Sequence, residues 1–426
     1  MDQMSNFDDL ESQVRYYCRQ TPNMFVTARG ASVWDAQGNE FTDFLSGCGS
    51  LNLGHNPPGI KAALIRYLEA DGIGNALDFH TAAKCKFIQC FHDHVLAPRK
   101  LPHLMQFTGP TGANCVEAAI KLSRKHTGRR TIVAFTNAFH GMSMGALSAT
   151  GSRKARRGLE GHLDGIVRLP FEGYREAGIG ELERFAAMAS DPSGGIDPIA
   201  AIIVEAVQGE GGLNVASDAW LQRLRRIATD LGALLIVDDV QAGCARTGRF
   251  FSFERSGIVP DLVCLSKSIS GMGLPMALLL VAPKFDTWIP GEHSGTFRGN
   301  SLAFVAATKA VGHFTDPDFV SGISIRSAIL DRWLLEMVSA FPQAIDRHKG
   351  IGMMAGLEFK DPTCAAAVAA GARERRLLIE TCGPDDQVIK VFAPLNIDVV
   401  QFADGLRRLH ATIETVCAPR IGMKAA

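Results

Sequence analysis

Five short apolar runs recur along the middle of the chain: "TIVAFTNAF" (131–139), "IAAIIVEAV" (199–207), "ALLIVDD" (233–239), "DLVCLSK" (261–267) and "MALLLVAP" (276–283). They do not alternate between apolar and polar positions. Such runs predict strands buried on both faces. Segments with helical spacing lie between several of them, as at 113–127 and 217–231. Strands alternating with helices predict an α/β fold with a mostly parallel sheet covered on both faces. Ligands then bind beyond the carboxyl ends of the strands.

The flanks follow a different rhythm. "ASVWDAQGNEFTDF" (31–44) predicts a hairpin, and the proline pair of "LGHNPPGIKAALIRYLEA" opens a helix. Beyond 317, helical stretches at 322–341, 362–376 and 398–417 surround short strands such as "GMMAGLEF" (352–359). The organisation expected is an N-terminal segment, 1–55, packed with a smaller α+β domain, 317–426, and a large domain over 56–316.

Several of the strand ends are polar. Asp238 and Asp239 close one run, and Lys267 closes another between Ser266 and Ser268. A lysine at such a position is either a nucleophile toward carbonyls or a cation that snorkels to solvent. An aspartate there suits a protonated ring nitrogen or caps the next turn, and chemistry alone does not choose between the two neighbours. "FTGPTGANCVEAAIKLSRK" (107–125) places a tight glycine loop before a helix, whose N-terminus suits a phosphate. "NAFHGMS" (137–143) offers Phe139 and His140 after a strand, for stacking on a flat ring or for core packing and capping. Amine, carboxylate, phosphate cradle and aromatic together are what a phosphorylated pyridine aldehyde requires.

Charge removes other classes. Lys+Arg and Asp+Glu are both 44, which gives no basic excess for nucleic acid. No apolar run of about eighteen residues predicts a membrane span, and no secretory leader is visible at the start. The ten scattered cysteines lack metal-ligand spacing, so no metal site is expected. A cytoplasmic location with reduced thiols is expected.

At this point the chain resembles the class III (subgroup II, ω-) aminotransferases, from about Gly30 to Leu409. The resemblance is carried by "GASVWDAQGNEFTDF", "TGANCVEAAIKLSRK", "NAFHGMS", "VEAVQGEGG", "LLIVDDVQAGCARTGRFFSFE", "PDLVCLSKSISGMGLPM" and "SGTFRGNSLA". It implies the fold-type I scaffold, with a seven-stranded sheet, and pyridoxal 5'-phosphate as cofactor. Lys267 then matches the lysine that holds the cofactor covalently, Asp238 the aspartate at its ring nitrogen, and Gln241 the residue near its ring hydroxyl. Phe139, beside His140, matches the stacking aromatic, with Val240 on the other face, and Gly112 and Ala113 match the phosphate loop. Thr296 matches a threonine that reaches a phosphate in the neighbouring subunit. A homodimer with shared active sites is therefore implied, with pairing into a tetramer left open.

Glu205 and Glu210 are the implied substrate-side glutamates. In the family, the second can pair with an arginine that binds a substrate carboxylate, and Lys390 stands in that arginine's place here. A lysine is a point charge, not a planar fork. Within the family, "GPTG" and "TCGPDD" look most like the diaminobutyrate–2-oxoglutarate aminotransferases of ectoine biosynthesis. The implied substrates are an amino donor and a 2-oxo acid or aldehyde acceptor. Transfer to a natural-product aldehyde or ketone, a 1,2-aminomutase, a decarboxylase and a non-catalytic binding relic are the alternatives.

Overall fold

The structure is a computed structural model and describes residues 5–417. Residues 1–4 of the expected N-terminal segment and 418–426 of the C-terminal one lie outside it.

A seven-stranded sheet forms the centre, in the order Leu104–Gly109, Ala277–Val281, Leu262–Leu265, Leu234–Asp238, Ile199–Val204, Thr131–Phe135 and Ile166–Leu169. All neighbours run parallel except Ala277–Val281, which is antiparallel to both strands beside it. The expected mostly parallel α/β fold is therefore present. The continuous apolar runs follow from burial on both faces, because successive side chains of a strand point to opposite sides. Val133, Phe135, Leu235 and Val237 join one core cluster. Ile132, Ala134, Leu234 and Ile236, one position out of step, join the other. Helix Asp218–Asp230 buries Trp220, Leu221, Leu224, Ile227 and Ala228, one stripe at helical spacing.

Three of the apolar runs leave the sheet earlier than the pattern suggests. Strand Thr131–Phe135 stops before Asn137, which turns the chain with φ of 61°. Strand Ile199–Val204 stops before Glu205, and strand Leu262–Leu265 stops before Lys267, whose φ is 48°. The last residues of each run thus form loops at the sheet's carboxyl edge, where the polar residues gather.

Two smaller sheets complete the fold. Strands Ile345–Ile351, Met354–Phe359, Val388–Val391 and Glu380–Cys382 lie side by side in that order, all antiparallel. Helices Pro317–Ala340, Pro362–Glu374 and Val399–Cys417 accompany them in sequence. The expected hairpin is strands Ser32–Asp35 and Glu40–Asp43, whose turn is fixed by Asp35 accepting from the backbone N–H groups of Gln37 and Asn39. Strand Glu40–Asp43 also pairs in parallel with Leu377–Leu378.

Candidate active site

At the carboxyl edge of the large sheet lies a cavity of about 530 Å³, within the range of small-molecule sites. Asp238, Lys267, Phe139, Val240, Gly112 and Ala113 all line it. The sequence separates these residues by up to 155 positions, and the parallel topology brings them together.

Lys267 begins a short 3-10 turn, Lys267–Ser270. A left-handed backbone is strained for a residue with a side chain and costs about 1–3 kcal/mol, so its surroundings must enforce it. The two flanking serines do so. Ser266 Oγ donates to the Met276 carbonyl at 2.8 Å. Ser268 Oγ donates to the Gly49 carbonyl at 2.8 Å and accepts from Asn52 N–H at 3.0 Å.

The two aspartates separate cleanly. Asp238 Oδ2 lies 2.7 Å from His140 Nδ1, and its Oδ1 accepts from Val240 N–H at 3.2 Å. Asp239 turns away from the cavity and accepts from the backbone and hydroxyl of Ser252. Burial pushes its carboxyl up to about 7. His140 is itself buried. Burial works against its charged form, but the hydrogen bond and charge of Asp238 outweigh it and raise the ring's pKa above the ordinary value. His140 therefore stands directly behind Asp238 and fixes the direction of its carboxylate.

Helix Gly112–Thr127 aims its N-terminus at the cavity. Thr111 caps it, exchanging bonds with Asn114 in a capping box. The first N–H groups, those of Gly112 and Ala113, have no carbonyl one turn back to receive them. A Cβ on Gly112 would sit 2.9 Å from Val240 Cγ1, so only glycine lets this helix end approach the cavity wall. Gly141, which the sequence reading did not single out, has the same duty: a Cβ there would lie 2.8 Å from that of Ala113, and its φ is 133°.

Glu205 lines the cavity, but both of its oxygens are engaged. They accept from Phe139 N–H at 3.1 Å and from Gly209 N–H at 3.2 Å. Burial lifts its carboxyl to about 7, with the charge of Asp238 adding and His140 opposing. Its geometry is that of a brace for the Phe139 backbone.

Glu210 faces the cavity, and Lys390 lies fully buried behind it at 2.9 Å. Lys390, and less strongly Lys267, hold the Glu210 carboxyl down at about 2 against its burial. Gln241 Nε2 donates to Glu210 Oε1 at 3.0 Å and to the Cys48 carbonyl at 3.0 Å. A second carboxylate, Glu380, reaches Lys390 Nζ at 2.7 Å. Its sequence context, one acid in "LLIETC", carries no motif that would single it out.

Thr296 is not part of this cluster. It lines a separate surface cavity with Trp288, His293 and Arg298. Among the described residues, no group of three or more His, Cys, Asp or Glu side chains is placed to hold a metal, and no helix is long and apolar enough to cross a membrane.

The donor set fits a flat, phosphorylated, aldehyde-bearing ring. It offers an amine, a carboxylate backed by a histidine, an aromatic face and a helix N-terminus cleared by glycine.

Residues 16–413 match the family model for aminotransferase class-III. The diaminobutyrate–2-oxoglutarate transaminase of Vibrio cholerae is 51% identical over 404 residues, covering 95% of this chain and 98% of that protein. The enzyme of the same name from Halalkalibacterium halodurans is 46% identical over 413 residues, covering 97% of each. Among solved structures, N-acetylornithine aminotransferase from Stenotrophomonas maltophilia is 28% identical with a TM-score of 0.75, over 95% of this chain and 98% of that one. Ornithine aminotransferase from Toxoplasma gondii shares the fold, with a TM-score of 0.84 at 24% identity over 97% and 94%.

Proposed function

The chain belongs to the class III aminotransferases, and from that membership we propose that it moves the terminal amino group between L-2,4-diaminobutyrate and L-glutamate. The oxo partners are L-aspartate 4-semialdehyde and 2-oxoglutarate. The observation that carries this reading is identity of about half the residues to diaminobutyrate–2-oxoglutarate transaminases along nearly the whole chain.

Pyridoxal 5'-phosphate, the family's cofactor, supplies an aldehyde that exchanges amines and a ring that takes up negative charge. The residues have separable tasks. Lys267 would hold the cofactor through its amine and, once freed, would serve as the base that moves the proton. Its left-handed backbone and the two serines fix the amine's starting point. Asp238 would pair with the ring nitrogen, and His140 would hold Asp238 in direction. Phe139 and Val240 would flank the ring, and the Gly112 and Ala113 N–H groups would receive the phosphate. Gln241 would stand on the ring hydroxyl side. Glu210 covers Lys390 when the reacting carbon bears no carboxylate, and exposes it when glutamate binds. The working unit is a homodimer in which Thr296 serves the neighbour's phosphate site. Ten unpaired cysteines suit a cytoplasmic setting.

The test is a half-reaction screen on the cofactor-loaded protein, following loss of its visible absorbance. Diaminobutyrate and glutamate should bleach it fast, with ornithine and 4-aminobutyrate slow. Bleaching by glutamate alone would move the acceptor to another aldehyde or ketone. Turnover without a stoichiometric need for 2-oxoglutarate would replace transfer by mutase or decarboxylase chemistry.

A further inference from the structure

Lys390 has two carboxylate partners, and they are built differently. Glu210 stands on the loop after strand Ile199–Val204 and lines the cavity. Its side chain is 32% exposed, against 6% for Glu380 and none for Lys390. Its backbone is pinned by Gly383 N–H donating to its carbonyl at 2.9 Å, and a Cβ on Gly209 or Gly211 would collide with Gln241 or Asn137. Only the Glu210 side chain is therefore placed to swing. Glu380 sits in strand Glu380–Cys382, directly opposite Lys390 in the antiparallel register. Cross-strand partners of that kind stay within reach of each other through the sheet itself. Phe392 supports the ammonium from a ring centroid 4.7 Å away.

We propose that Glu380 is a positioning residue that holds Lys390 in place while Glu210 turns away, so that a substrate carboxylate meets an ammonium already fixed in position. A lone lysine on a flexible stem would follow the departing glutamate, whereas an arginine offers a preorganised fork. Glu380 and Phe392 give the lysine the fixed direction it lacks. Exchange at Lys390 then swaps one carboxylate for another with no change in the charge around it.

This inference rests on the reading of Lys390 as the carboxylate receptor. It predicts a split between the two half-reactions. Glutamate presents a carboxylate on its reacting carbon, and a terminal amine does not. We would measure both by stopped flow in Glu380→Gln and Glu380→Ala, loaded with cofactor. The dissociation constant for glutamate should rise about tenfold or more in the alanine variant, the size of one charge-assisted bond. The glutamine variant, which keeps volume and an acceptor oxygen, should fall between it and wild type. The half-reaction with diaminobutyrate should stay within about twofold by the same measure. Equal losses in both half-reactions, or an unchanged glutamate constant, would overturn the proposal. If the alanine variant does not fold, the glutamine variant alone decides by the same split. If wild type rejects diaminobutyrate, the substrate assignment fails separately, and 4-aminobutyrate serves as the terminal amine. If wild type rejects glutamate, the role of Glu380 falls with that of Lys390.

Discussion

Replacing Glu205 by glutamine should change stability in opposite directions at low and high pH. The folded protein lifts this carboxyl from 4.5 to about 7, chiefly by burial. A raised pKa means that the folded state binds the proton more tightly than the unfolded one. The stability this gives is full below about pH 4.5 and is lost as pH rises through 7. At about 1.4 kcal/mol per tenfold change, the loss is about 3 kcal/mol. Glutamine never ionises, so the variant escapes it. Glutamine also has one acceptor oxygen where two backbone N–H groups, from Phe139 and Gly209, need partners. That mismatch costs about 1 kcal/mol at every pH. The variant should therefore be less stable by about 1 kcal/mol at pH 4, about equal near pH 5, and more stable by about 2 kcal/mol at pH 8.5. For a chain of this length the melting temperature moves about 1 °C per kcal/mol. Scanning calorimetry of wild type and variant from pH 4 to 8.5, both loaded with cofactor, reads the difference. Asp239 titrates in both proteins and cancels. A constant offset at every pH would refute the reasoning, because it would mean that Glu205 ionises with an ordinary pKa in the folded protein.

Other consequences are quicker to check. Lys267→Ala should lose both turnover and the visible absorbance of bound cofactor, and substantial transamination by that variant would remove Lys267 from its assigned role. Asp238→Asn should retain cofactor but lose about a hundredfold or more in kcat, as sites lose on removal of one preorganised charge. Near-normal turnover would shift the ring nitrogen to another partner. Gly112→Ala should weaken cofactor retention, read by dialysis and absorbance, because its Cβ would press on Val240 at 2.9 Å. Arg246→Met should lower the melting temperature by several degrees. The guanidinium is fully buried and donates to Asn52 Oδ1 at 3.1 Å, the Met353 carbonyl at 3.2 Å and the Ala393 carbonyl at 2.7 Å. Three acceptors would be stranded, at about 1–3 kcal/mol each. An unchanged melting temperature would show that water replaces it.

The central sheet was legible because burial on both faces leaves a continuous apolar run, which few other structures require. Strand Ile345–Ile351 was not legible. It lies at the edge of its sheet, and "IDRHKGI" shows mostly polar side chains to solvent. At the site, residue types declared the chemistry but not the partners. Asp238 and Asp239 look alike in sequence, and only the positions of His140 and Ser252 separate their tasks. Glu380 was invisible because its meaning lies in register. It faces Lys390 only after two short strands align. Thr296 lines a separate surface cavity, so the geometry of the described residues does not join it to the others.

The short pairing of Leu377–Leu378 with Thr42 and Asp43 also sets the order of events during synthesis. The N-terminal hairpin emerges from the ribosome more than three hundred residues before the strand that completes its sheet. Phe44 waits longer still, since its ring packs on Phe402 and its N–H donates to Leu378. At about 5–20 residues per second, that interval is roughly 20–70 s. Throughout it the nascent chain carries an open strand edge and uncovered phenylalanines. The large sheet can form in the meantime, but the first segment made is among the last to be enclosed.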